Sequence, residues 1–237
     1  ESLSLLGAHC VLLARDAAAL EQAIQLLDVS QGQTHDHCVA DFSNPETVRT
    51  AIHTVTKKRA VHVLVNNTGG PASGPIIEAT DQAFLSAFNQ HLVCNHLLVQ
   101  AVVPAMQAAG YGRIINVVST SVKIPLRNLG VSNTIRGAVA SWAKTLANEL
   151  GPSGITVNNI LPGLTATRRL RQLMEQAAQK GNLPLDLVER NMVEEVPLRR
   201  IADPAEIAAV AAFLASPAAS YVNGVSLPVD GGRTGSI

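Results

Sequence analysis

Aromatic side chains are scarce in this chain: one Trp, two Tyr and four Phe among 237 residues. Any core must therefore be aliphatic. Charge is sparse as well, at 15% of residues, and the 18 Lys and Arg cancel the 18 Asp and Glu. No overall field draws in nucleic acid or an anionic membrane surface, so neither is an expected partner. The three cysteines, Cys10, Cys38 and Cys94, lie far apart without metal-ligand spacing. They read as reduced thiols of a cytoplasmic protein, and no metal is expected. No continuous apolar run approaches the roughly 18 residues that span a bilayer. Glu1–Ser4 lacks the basic start of a signal peptide, which again points to the cytoplasm.

What the chain does have is aliphatic residues: 47% is hydrophobic, with Ala, Leu and Val dominant. Short aliphatic runs alternate with longer helical patterns. Strands are expected at Ala8–Ala14, His37–Ala40, Val61–Asn66, Arg113–Val118, Thr156–Leu161 and Val225–Val229. Helices are expected at Asp16–Leu27, Pro45–Lys57, Asp81–Ala109, Ser132–Leu150 and Pro204–Ala215. Such alternation implies βαβ units and a parallel sheet with right-handed crossovers. The expectation is one doubly wound α/β domain of the Rossmann type over residues 1–237, without linkers or repeats. A charge-rich helical insertion at about 165–196 follows a strand, where such sheets place a substrate lid; an ordinary surface helix pair is the alternative.

Glu1–Leu6 reads as the end of a helix, with Gly7 as its C-cap. A dinucleotide-binding unit needs a strand and a glycine-rich phosphate turn before that point. The sequence holds no such glycine cluster, so a first strand, its turn and most of a first helix are expected to precede residue 1.

Four segments carry a family resemblance, each weak alone and strong in this order and spacing. They are Leu64-Val65-Asn66-Asn67-Thr68-Gly69, Ile114-Ile115-Asn116-Val117-Val118-Ser119, Asn158 to Thr167 with Pro162-Gly163 inside it, and Val229-Asp230-Gly231-Gly232. Together they resemble the short-chain dehydrogenase/reductase family over essentially the whole chain, closest to its 3-oxoacyl-acyl-carrier-protein reductase-like members. The resemblance implies a nicotinamide dinucleotide cofactor, a small carbonyl or alcohol substrate, and a homotetramer or dimer paired through the helices Asp81–Ala109 and Ser132–Leu150. It assigns the cofactor to Arg15, Asp41, Asn67, Thr68, Gly69, Arg136, Pro162, Gly163, Thr165 and Thr167. Asp41 would meet the adenine, or else simply cap the following helix. Ala14 stands where NAD-preferring relatives carry Asp, and Arg15 follows it, so NADP is expected in preference to NAD. Asp16 complicates that local charge.

The catalytic pattern departs from the family. Ser119 matches the family serine, but the expected Y-x-x-x-K becomes Ser132-Asn133-Thr134-Ile135-Arg136. Ile135, Val139, Trp142, Leu146 and Leu150 repeat at helical spacing and fix that register. An aliphatic hydroxyl is a far weaker acid than a phenol, so Ser132 is a poor proton donor. Arg136 keeps its charge, can fork onto a ribose and can stabilise a developing alkoxide. His91 stands where the family has a water-holding Asn; it could serve as the acid through water, or merely pack within its helix. The candidate catalytic set is Ser119, Arg136, Ser132 and His91. Two functions follow: an NAD(P)-dependent carbonyl reductase or alcohol dehydrogenase, or a dinucleotide-binding protein with little or no catalysis. Arg168, Arg169 and Arg171 could meet a phosphopantetheine or acyl-carrier surface, or form a solvated helix face.

Overall fold

The computed structural model describes residues 1–236. Among the described residues, six parallel strands form two sheets. β1 (Val11–Ala14) pairs with β2 (Asp36–Val39), and β3 (Val63–Asn66), β4 (Gly112–Val117), β5 (Ile155–Pro162) and β6 (Ser226–Val229) follow one another in a second sheet. Among the described residues, no strand pairs with the other edge of β1 or of β3. The helices are α1 (Ser2–Leu5), α2 (Ala17–Gln25), α3 (Pro45–Lys58), α4 (Asp81–Phe88), α5 (Cys94–Ala109), α6 (Gly130–Leu150), α7 (Arg168–Gly181), α8 (Leu185–Glu194) and α9 (Pro204–Ala215). Every expected strand and helix is present, with boundaries moved by a few residues.

Strand alternation divides the core between two layers, because successive side chains point to opposite faces. Ile114, Ile155 and Val157 face α3, α5 and α6, where Val48, Ile52, Val99, Val102 and Met106 bury them. Ile115 and Ile160 face the other way, onto Ile207 and Leu214 of α9 and Leu3 of α1. The sheet is thus covered on both faces by aliphatic residues.

Local chemistry sets the helix ends. Asn44 accepts from the Glu46 N–H and Pro45 opens α3, while Asp203 and Glu206 form a reciprocal capping box before α9. Each such cap is worth about 1 kcal/mol. The Asp16 carboxylate accepts the Ala19 N–H at the start of α2, so this acid is a helix cap. Burial, with the Asp41 charge behind it, pushes the Cys94 thiol up to about 11, which keeps it protonated.

Asn66, Asn116 and Asn159 stand side by side in the strand register and hydrogen-bond through their side chains. Asn66 Nδ2 donates to Asn116 Oδ1 at 2.9 Å, Asn116 Nδ2 to Asn159 Oδ1 at 2.9 Å, and Asn159 Nδ2 to Ser226 Oγ at 3.1 Å. This amide ladder crosses all four strands, at the carboxyl end of β3, near that of β4, in the middle of β5 and at the first residue of β6.

The segment Asp81–Ala109 is continuously helical, but its middle, Asn89–Val93, is one π-helical turn. The helix is long and apolar enough for an 18-residue window to reach a mean hydropathy of 1.4, which a search for unbroken apolar runs does not anticipate. Its residues Leu98, Val99, Val102 and Met106 belong to the main core.

Candidate active site

The sheet's carboxyl ends bring the candidate residues to one edge, as parallel α/β sheets do. At the end of β1, Arg15 is exposed, and it stands close enough to Asp41 for its charge to act on that carboxyl. The Ser43 N–H, and after it the Arg15 guanidinium, hold the Asp41 carboxyl below its usual range. Asp41 also anchors the start of α3, since its N–H and C=O both bond the Thr47 hydroxyl.

A cavity of about 1120 Å³ opens along the ends of β3, β4 and β5. Asn67, Ser119, Pro162, Gly163, Thr165 and Thr167 line it. Ser119 is extended and its Oγ accepts the Ser121 N–H at 3.1 Å, which fixes the hydroxyl at the head of the loop after β4. Thr167 caps α7 through the Leu170 N–H. Gly163 is a glycine for a packing reason: an added Cβ would lie 2.6 Å from Asp230 Cα on the loop after β6.

His91 and Arg136 are buried beside the cavity, with the half-buried Thr68 between them. Arg136 is 8% exposed, and its guanidinium donates to the Val117 carbonyl at 3.2 Å and the Thr68 carbonyl at 3.4 Å. No carboxylate among the described residues pairs with it. Burial pulls its pKa down to about 10, so it remains a cation at neutral pH. Two bonds leave part of its five-donor fork free. Beside it, Gly70 would bring a Cβ only to 3.9 Å from Nη2, and Gly69 has open space where a Cβ would stand. A strip of bare backbone therefore flanks an uncompensated buried cation, which fits an electron-rich ligand group such as a ribose or amide.

His91 sits in the π-turn at 1% exposure, with its Nδ1 hydrogen-bonded to the Thr68 hydroxyl and its Nε2 buried without a partner. Burial, and then the Arg136 charge, push its pKa down to about 3. His91 is therefore neutral at physiological pH, because burial strips water from the charged form and the Arg136 cation adds repulsion, which favours its packing within the helix over service as an acid. Ser132 is half-buried on α6, one turn before Arg136, and like Thr68, His91 and Arg136 it stands outside the cavity lining. Neither tyrosine approaches Ser119. Tyr111 precedes β4, at the opposite strand end, and donates to the Ala215 carbonyl at 2.9 Å; Tyr221 is fully exposed.

The insertion folds as α7 and α8 around Leu170, Met174 and Val188. Its arginines separate. Arg171 pairs with Glu175 and Arg168 is exposed, whereas Arg169 turns to the cavity and donates to the Pro71 carbonyl at 2.7 Å. The sequence reading missed Arg127, Gln176 and Lys180, which also line the cavity. Only the spacing from Arg169 to Lys180 along α7 hinted at the latter two.

A family profile described as enoyl-(acyl carrier protein) reductase matches residues 1–234. Galactitol 2-dehydrogenase (L-tagatose-forming) of Cereibacter sphaeroides is 34% identical, over 96% of this chain and 86% of its own. An NADPH-dependent reductase of Bacillus subtilis is 32% identical, over 74% of this chain and 68% of its own. The crystal structure of L-sorbose reductase from Gluconobacter frateurii, complexed with NADPH and L-sorbose, superposes with a TM-score of 0.92 at 29% identity. That match covers all of this chain and 90% of the other.

Proposed function

The chain belongs to the short-chain dehydrogenase/reductase family, and from that premise we propose that it is an NADP-dependent oxidoreductase of the carbonyl reductase or alcohol dehydrogenase type. In this reading Ser132 and Arg136 stand where the family's tyrosine and lysine stand. The observation that carries the reading is the buried Arg136 guanidinium, without an acid partner, beside the bare backbone of Gly69 and Gly70. The relatives' NADPH dependence and the arginine ending β1 support NADP over NAD.

The cofactor, when bound, supplies the hydride. Arg15 takes the 2′-phosphate and Asp41 the adenine, while Asn67, Thr68 and Gly69 shape the loop under the ribose. Arg136 forks onto that ribose. Pro162, Gly163, Thr165 and Thr167 form the wall on the nicotinamide side. Ser119 donates its hydroxyl to the substrate oxygen, and the Arg136 charge stabilises negative charge developing there. Ser132 is too weak an acid, and the neutral His91 has no proton of the needed acidity. The proton that completes the alcohol is drawn from solvent. His91 instead holds the Thr68 hydroxyl, and through that residue the carbonyl that accepts from Arg136. α7 and α8 act as the substrate lid. Leu85 and Phe88, exposed on α4, are proposed to be covered in a dimer or tetramer, which sedimentation tests.

Titration with NADPH and NADH, followed by a panel of carbonyl substrates, tests the proposal. NADPH should bind more tightly, and at least one ketone should be reduced. Ser119→Ala and Arg136→Ala should each lower turnover by on the order of a hundredfold. Unchanged turnover in both variants would overturn the mechanism. The remote placement of Tyr111 and Tyr221 favours a second reading, a dinucleotide-binding protein without hydride transfer. NADPH binding with no turnover across the panel would select it.

A further inference from the structure

Three chain segments enclose the end of the cavity beside Ser119, and hydrogen bonds tie them together. The Gly74 N–H donates to the Asn128 carbonyl at 2.7 Å, joining the loop after β3 to the loop after Ser119. Ser73 Oγ donates to Gln176 Oε1 at 3.0 Å, and Arg169 donates to the Pro71 carbonyl, joining the first of those loops to α7. One face of α7 closes the space: Arg169, Leu173, Gln176, Ala177 and Lys180 recur at helical spacing and all line the cavity. From Arg169 to Lys180 the helix rises about 16 Å.

The charges lining the cavity are predominantly positive. Arg127, Arg169, Lys180 and Arg233 line the cavity, against a single carboxylate, Glu195. Glu195 is taken by Arg233 in an ion pair, and Arg169 is held by the Pro71 carbonyl. Arg127 and Lys180 remain, and among the described residues neither has a carboxylate within ion-pair distance. Of the acids on α7 and α8, Glu175 pairs with Arg171 and Asp186 with Arg190, and neither Glu189 nor Glu194 lines the cavity. Around the two free cations the wall is aliphatic, from Leu126, Leu129, Leu173 and Ala177. A cleft lined by low-dielectric walls and one sign of charge concentrates the opposite charge. The cofactor's 2′-phosphate does not account for these cations, because its proposed partner Arg15 belongs to the other sheet and does not line the cavity.

We infer that the substrate is an amphipathic anion: a carbonyl at Ser119, an aliphatic body along Leu126, Leu129 and Leu173, and a carboxylate or phosphate received by Lys180 and Arg127. The assignment of the carbonyl to Ser119 rests on the oxidoreductase reading; the anion subsite rests on the wall alone.

Equilibrium binding separates the two. Octanoate, octyl phosphate and the uncharged methyl octanoate are titrated calorimetrically into the NADPH-saturated protein. At least one of the anions should bind tenfold or more tightly than the ester, and the better one identifies the headgroup. The preference should fall to within twofold in the Lys180→Gln, Arg127→Gln double variant and reverse toward the neutral ester in Lys180→Glu. NADPH affinity and thermal melting should be unchanged, since both side chains are exposed. Equal binding of anions and ester by the wild type, or a preference that survives the double variant, overturns the inference. So does a loss of NADPH affinity in the variants, which would assign the cations to the cofactor. Charge-dependent binding in a protein that reduces no ketone would uphold the anion subsite while removing the reductase reading.

Discussion

The Arg169 guanidinium donates a hydrogen bond to the Pro71 carbonyl at 2.7 Å, joining residues 98 positions apart in the chain. This bond matters because α7 begins poorly. Its first turn holds no acid, while Arg168, Arg169 and Arg171 put positive charge at the end of the helix dipole that disfavours it. The Thr167 cap and the link to Pro71 offset that repulsion.

Arg169→Met should therefore loosen α7 without unfolding the domain. A hydrogen bond to a charged group is worth about 1.5–3 kcal/mol, less where water reaches it. Hydrogen exchange of the α7 amides should accelerate by about tenfold, with exchange in β4 and β5 unchanged. Unaltered α7 exchange would show that the Leu170–Met174–Val188 cluster alone holds the segment.

His91 predicts a pH dependence of stability. Its folded pKa, about 3, lies below the ordinary 6.5, so the unfolded chain binds a proton that the native state refuses. The associated stability is complete above pH 6.5 and is lost progressively as pH falls toward 3. Between pH 6.5 and 5 the wild type should lose on the order of 2 kcal/mol more than His91→Gln in urea titrations. Parallel profiles for the two proteins would contradict this. In any rate profile, an inflection at pH 6–7 should survive His91→Gln.

Arg15→Ala should weaken NADPH by about 1.5–3 kcal/mol, a charge-assisted contact, and leave NADH nearly unchanged. Fluorescence titration with both dinucleotides reads the difference, and equal losses would mean that Arg15 only shapes the strand end.

Gly163→Ala forces a Cβ to within 2.6 Å of Asp230 Cα, a backbone atom that cannot rotate away. A cost of about 1–3 kcal/mol is expected, as for overpacking elsewhere, visible as a lower Tm in the absence of any ligand. A variant that melts normally but loses only NADPH would mean that the cofactor, and not packing against Asp230, requires a glycine there.

Most of the fold was legible because local signals agreed. Asn44-Pro45 and Asp203-Pro204-Ala205-Glu206 announce α3 and α9, and Ile114-Ile115 and Val157 to Leu161 read as strands buried on both faces. The candidate site was legible only in outline. Strand ends locate Asn67, Ser119, Pro162 and Thr165, because parallel sheets put their clefts there. The helical period could not show the π-turn that seats His91. Nor could it show that His91 would share a buried site with Arg136, since that proximity joins different helices. Lys180 was hidden for a similar reason: its exposure and charge suggest a solvated face, and only tertiary placement turns it to the cavity.

The amide ladder imposes an all-or-none choice on the four strands it crosses. Each of Asn66, Asn116 and Asn159 has one oxygen and one nitrogen, and the Ser226 hydroxyl can either give or receive a hydrogen bond. Two arrangements keep every hydrogen bond between neighbours in the row, with every amide aimed toward β6 or every amide aimed toward β3; in the observed one the Asn66 oxygen at its end is buried without a partner. A single reversed amide would set two carbonyls or two NH2 groups face to face. The ladder consequently has a direction shared by all its members, like spins in a short ferromagnetic chain. Sliding any one strand by a single residue would carry its amide to the opposite face and break the row there, so the alignment of β3 to β6 is written in polar as well as aliphatic contacts.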